Sequence, residues 1–182
     1  AEARNLFMRD YDKAPSLESD LHLGVIAGEE AEFHPERRDE LLRESLIRIE
    51  RSMAMTRAQG KTRAQWRLFF AVALLRSDRP GDALSELQEV LRVWPDNPYA
   101  HRIAALACES LKRWGEAAAY IEHALRYQPE EALLWLRLGA YRSAAGQHQP
   151  AVEALHRAMA LRQAQRGGTA QADEIVRQAQ NE

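Results

Sequence analysis

The side chains in this sequence that can donate protons, attack or coordinate are scattered along it. Six histidines stand at positions 22, 34, 101, 123, 148 and 156. No two are three or four residues apart, the spacing that puts two ligands on one helix face, so they spell no metal site. Cys108 is the lone cysteine. That excludes a disulfide framework and a cysteine-based zinc site, and leaves a thiol whose expected role is packing. Gly167-Gly168 lacks the lysine and the flanking pattern of a phosphate-cradling loop. Asp10, Asp12, Glu18 and Asp20 lack the central glycine and final glutamate of a calcium loop. The expectation is a protein that is not an enzyme, with no metal, no cofactor and no small-molecule substrate.

The elements that carry these side chains are helical by composition. The 182 residues include 31 Ala and 22 Arg but only 3 Lys, and 9 Gly and 7 Pro. Alanine and leucine lose little on entering a helix. A 46 % hydrophobic and 29 % charged balance suits one globular domain with an extension, not a disordered chain. No run of 18 apolar residues offers a spanning helix. Gly24 and Gly28 match a small-residue spacing known from membrane helices, but the apolar run around them is short and the match reads as chance. The arginine excess suggests a GC-rich, bacterial genome. The chain starts at Ala1, so an upstream anchor is conceivable. The net charge of −2 gives no nucleic-acid signal, yet residues 1–34 net −5 and residues 35–67 net +4.

The strongest pattern is a repeat of 34 residues. Copies 64–97, 98–131 and 132–165 align without a gap. Small residues stack at Ala71, Ala105 and Gly139, at Ala83, Ala117 and Ala151, and at Val90, Ala124 and Ala158. Large apolar residues stack at Leu87, Ile121 and Leu155, and at Leu91, Leu125 and Met159. Each copy predicts two helices: 62–77 and 80–93, 98–112 and 116–127, 131–145 and 150–165. Thr62 with Gln65 has the spacing of a capping box. Pro80 and Pro98 suit a first helical position, Asn97 an N-cap, and Gly146 a C-terminal cap. Small columns let paired helices approach closely, and stacking of the pairs buries what one pair cannot.

This pattern resembles the tetratricopeptide repeat family. The third copy is the best match, with Trp135, Leu138-Gly139, Gly146, Ala151, Leu155 and Ala158 at family positions. The resemblance implies an all-α, right-handed superhelix of antiparallel helix pairs, with a concave face lined by the first helix of each pair. Carried over to this chain, the partner-binding residues are Leu68, Val72, Arg76, Tyr99, Arg102, Leu106, Leu136 and Arg137. The carboxylate clamp of some members is absent, because its lysine and asparagine positions hold Leu68, Phe69, Val72 and Arg102.

The flanks complete the expected organisation. Residues 1–34 form an acidic extension or linker. Leu6, Phe7 and Tyr11 share a short helical face, and Ser16 caps a helix with Leu17, Leu21 and Val25. Residues 35–63 hold a basic amphipathic helix ended by Gly60, with a stripe of Leu42, Leu46, Ile49 and Met53 to cover the first repeat. Asp39–Arg43 and Glu44–Arg48 are i,i+4 pairs. Residues 166–182 form a C-terminal capping helix begun at Thr169.

The functional expectation is a scaffold or adaptor for a peptide segment or domain of a partner protein, in a bacterial secretion, pilus or exopolysaccharide assembly. Two alternatives stay open. One is a soluble oligomerisation module of a larger membrane-anchored protein. The other is a type III secretion-like chaperone. The expected compartment is the cytoplasm or the cytoplasmic face of a membrane, with the periplasm left open.

Overall fold

The repeat is carried by the backbone as much as by the side chains. The computed structural model describes the backbone of residues 17–58 and 63–180 and the side chains of residues 18–57 and 63–165. Eight α-helices occur among them: α1 (Leu17–Phe33), α2 (Arg38–Ala58), α3 (Ala64–Arg76), α4 (Pro80–Val93), α5 (Pro98–Ser110), α6 (Trp114–Tyr127), α7 (Ala132–Ala144) and α8 (His148–Gln180). A 3-10 turn, Pro35–Arg37, precedes α2. Helices α3/α4, α5/α6 and α7/α8 are the three antiparallel pairs of the superhelix. The α1/α2 pair packs in front of them. No helix among the described residues is long and apolar enough to cross a membrane.

The turn inside each pair repeats in register. Asp78, Lys112 and Gly146 all have positive φ, at 58°, 57° and 77°. One residue later, the backbone N–H of Arg79, Arg113 and Gln147 reaches back to the carbonyl of Leu74, Cys108 and Arg142 at 2.8–2.9 Å. This six-to-one bond with a left-handed residue before it satisfies the last helical carbonyls. Pro80 and Pro98 open α4 and α5, where the missing N–H costs no intrahelical bond. Asn97 caps α5 by accepting the Ala100 N–H at 2.9 Å. At α3 the N-cap is Arg63, with no side-chain cap bond. Thr62, the other half of the expected capping box, lies outside the described residues.

The small columns sit where predicted. Ala71, Ala105, Ala83, Ala117, Val90 and Ala124 are fully buried. Gly139 lies against Leu155: a Cβ added there would come within 2.6 Å of its Cγ. The last large column fails at its third member, since Met159 is 68 % exposed where Leu125 is 7 % exposed. Met159 lies on α8, the last helix among the described residues. The helix expected to end before Gly167-Gly168 instead runs unbroken to Gln180, so no separate capping helix begins at Thr169. Each glycine costs a helix about 1 kcal/mol relative to alanine without forbidding helical angles.

The α1/α2 pair corrects two further expectations. The buried face of α2 is Leu41, Ser45, Ile49, Ser52, Met53 and Thr56, while Leu42 and Leu46 are only half-buried. Small polar residues belong to this face because α1 lies close against it. Gly24 and Gly28 make that approach: a Cβ on Gly24 would fall 2.7 Å from Ile49 Cγ1 and 3.0 Å from the Ser45 carbonyl oxygen, and one on Gly28 would fall 2.9 Å from Ser45 Oγ. Their spacing is therefore a helix-crossing seam and not a chance match. Charge adds to the dock. Arg48 of α2 binds buried Asp20 of α1 at 2.8 Å and Glu44 at 2.9 Å, and Arg63 faces Glu18 at 3.6 Å. Asp39 and Arg43 form no ion pair among the described residues. Leu6, Phe7, Tyr11, Ser16 and Gly60 lie outside the described residues.

Candidate functional site

The inner side of the superhelix is built by α3, α5 and α7, and the eight predicted partner-binding residues divide sharply along it. Leu68 is 7 % exposed and belongs to the core shared with Leu21, Ile49 and Met53. It is therefore not available to a partner, because α1 and α2 cover the first repeat. Val72 and Arg76 line a cleft of about 90 Å³ with Phe69 and Tyr99, and Val25 and Glu29 of α1 form its opposite side. Glu32 of α1 binds Arg76 at 2.5 Å. Helix α1 thus closes the first-repeat end of the inner side, a placement invisible to repeat alignment because α1 carries no repeat register.

The second and third repeats remain open. Tyr99, Leu133 and Leu136 are 49 %, 45 % and 40 % exposed. Arg102 and Leu106 are half-buried and follow Tyr99 on α5. By register, Arg102 takes the column of Leu68 and Leu136, and Leu106 that of Val72 and Ala140. By register these residues share one face, apolar but for one guanidinium. Large exposed apolar side chains sharing one face mark interaction surfaces.

Arg137 is engaged rather than free. Its guanidinium lies 3.4 Å from Glu109 of α5 and donates to the Tyr141 hydroxyl at 3.2 Å. Tyr141 donates in turn to Glu109 at 2.5 Å. Burial, with the acceptor Glu109 behind it, pushes the Tyr141 phenol up to about 12. This triad ties α5 to α7 and fixes the width of the open face. Tyr141 was missed from sequence. Its register position corresponds to Ala107 and Ala73, and an aromatic there was the available signal.

Cys108 and His101 are placed for packing. Cys108 is fully buried, and burial raises its thiol to about 11, far from a reactive thiolate. His101 is buried and bonds the Pro95 carbonyl through Nε2 at 2.8 Å. Its ring stacks on His123, centroids 5.0 Å apart. Among the described residues, no three His, Cys, Asp or Glu side chains are grouped to hold a metal ion.

Comparison with known proteins agrees with this fold. The family model described as tetratricopeptide repeat matches residues 70–126. The fold is similar to that of a crystal structure of MamA, with a TM-score of 0.71 at 15 % identity over 91 % of this chain and 90 % of that one. It is similar to MamA residues 41 to the end from Desulfovibrio magneticus RS-1, with a TM-score of 0.72 at 15 % identity over 89 % and 94 %. An AMB-1 MamA structure has a TM-score of 0.65 at 23 % identity over 87 % and 86 %. At these identities the likeness is one of fold. Comparison with curated proteins by sequence gives no match.

Proposed function

Tetratricopeptide repeats make up this chain's array, and from that premise we propose that it is a non-catalytic protein–protein interaction scaffold. Its working surface is the open face of α5 and α7, which holds a segment of a partner protein. The observation that carries this reading is the contrast along one surface. Leu68 in the first repeat is covered by the chain's own helices, whereas Leu136, in the same column two repeats on, is 40 % exposed beside Leu133. Exposed apolar area of this kind is stabilised when a partner covers it. The setting we propose is a bacterial assembly of the secretion, pilus or exopolysaccharide kind, a type III secretion-like chaperone being one variant. The arginine bias and the helical extension ahead of three repeats support that setting.

The test is site-specific photocrosslinking in the native cells. A crosslinker replacing Leu136 should yield a discrete adduct with one partner. A crosslinker replacing exposed Arg126 on α6 should not. Equal adducts at both positions, or none at Leu136, would remove the open face from the reading.

A second reading is favoured by one observation at the array's end. Val152 and Met159 of α8 are 45 % and 68 % exposed, as expected of an end that meets another copy in an oligomerisation module. Sedimentation of the isolated chain and of Met159→Glu separates the two. A strict monomer at high concentration sinks the second reading.

A further inference from the structure

Six arginines are half-buried among the described residues: Arg48, Arg67, Arg76, Arg102, Arg137 and Arg142. Five have a carboxylate in reach. Arg48 meets Asp20 at 2.8 Å, Arg67 meets Glu86 at 2.7 Å, Arg76 meets Glu32 at 2.5 Å, Arg137 meets Glu109 at 3.4 Å and Arg142 meets Glu122 at 2.7 Å. Arg102 forms no ion pair or hydrogen bond among the described residues. It is also the one charged member of the column Leu68, Arg102, Leu136.

From this we infer that Arg102 is the recognition point for an acidic side chain on a helical, otherwise apolar segment of the partner protein. The inference rests on the open-face reading above and adds the chemistry of the occupant. A guanidinium that is already half out of water loses the rest of its hydration when a segment lies over Tyr99 and Leu136. Uncompensated, that loss opposes binding. A carboxylate on the segment reverses its sign, because a charge-assisted bond formed in a dry site is among the stronger polar contacts. Among the described residues no carboxylate pairs with it: the nearest on this face by register, Glu109, is held by Tyr141 and Arg137.

The first repeat displays recognition of the same chemistry within the molecule, at another register position. There α1 brings Val25 and Glu29 to the cleft beside Phe69 and Val72, and Glu32 to Arg76. Val25, Glu29 and Glu32 follow i, i+4, i+7, so one face of a helix carries both the apolar and the acidic contact. In the open repeats the register positions of Arg76 hold Ser110 and Ala144, so the cation stands about two turns earlier on α5, at Arg102, with Leu106 and Leu136 as the apolar bed. Arg102 and Leu106 stand one turn apart on α5, so the occupant required is a helix with Asp or Glu one turn from a large apolar residue.

The experiment is selection of a displayed library of helix-forming 16-residue peptides on the full chain. Enriched peptides should carry Asp or Glu one turn from Leu, Ile, Phe or Trp. Their affinity should fall about tenfold or more for Arg102→Gln and for Leu136→Asp, and stay unchanged for Arg126→Gln. Selection on Arg102→Glu should enrich Lys or Arg at the acidic position. Arg102→Gln should unfold at the same temperature as the parent, since Arg102 has no bond to lose among the described residues. Peptides that need Leu136 but show no acidic bias, or ignore Arg102→Gln, leave the open face standing and overturn the role of Arg102. Enriched peptides insensitive to Leu136→Asp overturn the open-face reading as well.

Discussion

His101 and Trp135 are 34 residues apart and make the same hydrogen bond. Trp135 Nε1 donates to the Pro129 carbonyl at 2.7 Å, and His101 Nε2 meets the Pro95 carbonyl at 2.8 Å. A carbonyl only accepts, so His101 carries its proton on Nε2 and stands in for the indole. Its Nδ1 is buried with no partner among the described residues.

That substitution has a consequence for stability against pH. A second proton on His101 would enter a site with no acceptor at Nδ1. Burial, chiefly, holds its pKa below the ordinary 6.5, and the His123 and Arg126 charges act in the same direction against the Pro95 bond and Asp96. The unfolded chain therefore takes up the proton first as pH falls. The contribution of His101 to stability is full above pH 6.5 and is lost as pH drops from there through the lower folded value. Thermal unfolding should show a falling midpoint over that range. His101→Gln, whose side-chain amide can also donate to a carbonyl, should flatten this dependence; an unchanged slope would refute the assignment.

The left-handed turn positions predict two stabilised variants. Asp78 and Lys112 hold φ near +58°, where a Cβ costs about 1–2 kcal/mol and glycine escapes it. Gly146 already fills the third position. Lys112→Gly and Asp78→Gly should each raise stability in urea unfolding by about 0.5–1 kcal/mol, because glycine also has more freedom to lose. A loss would mean these side chains hold the turn.

The glycines themselves divide into two classes. Gly24→Ala drives a methyl against Ile49 Cγ1 and the Ser45 carbonyl oxygen, and backbone cannot give way as a side chain does. A destabilisation of about 1–3 kcal/mol is expected. Gly115→Ala, near the start of α6, meets nothing within 4 Å and should stabilise by about 0.5–1 kcal/mol. Opposite shifts of the two melting temperatures are the check.

Cys108 supplies a probe of opening. With its thiol raised from 9.0 to about 11, the thiolate fraction at neutral pH falls about a hundredfold. Alkylation of the native protein should be slower than that of the urea-unfolded chain by at least about this factor, since full burial adds to it. Labelling at comparable rates would mean that α5 opens readily.

How much of this was legible depends on sequence distance. In a solenoid, each helix packs mainly on its neighbours, so contacts within a pair and between pairs repeat at a fixed offset of 34 residues. Alignment therefore exposed the small columns, the proline starts, Asn97 and Gly146. It did not expose α1, whose seam at Gly24 and Gly28 obeys no repeat. It also could not tell that Leu68 is core while Leu136 is surface.

The sequence by itself determined the helical pairs, their register and the columns that let them close, because these follow from local punctuation and near-neighbour packing. Only the tertiary structure decided what lies across each column. Helix α1 takes Arg76 with Glu32, Arg102 meets no carboxylate among the described residues, and Met159 on α8 is exposed. Burial and ion pairing depend on which distant helix arrives, and identical register positions become core, clasp or open surface accordingly.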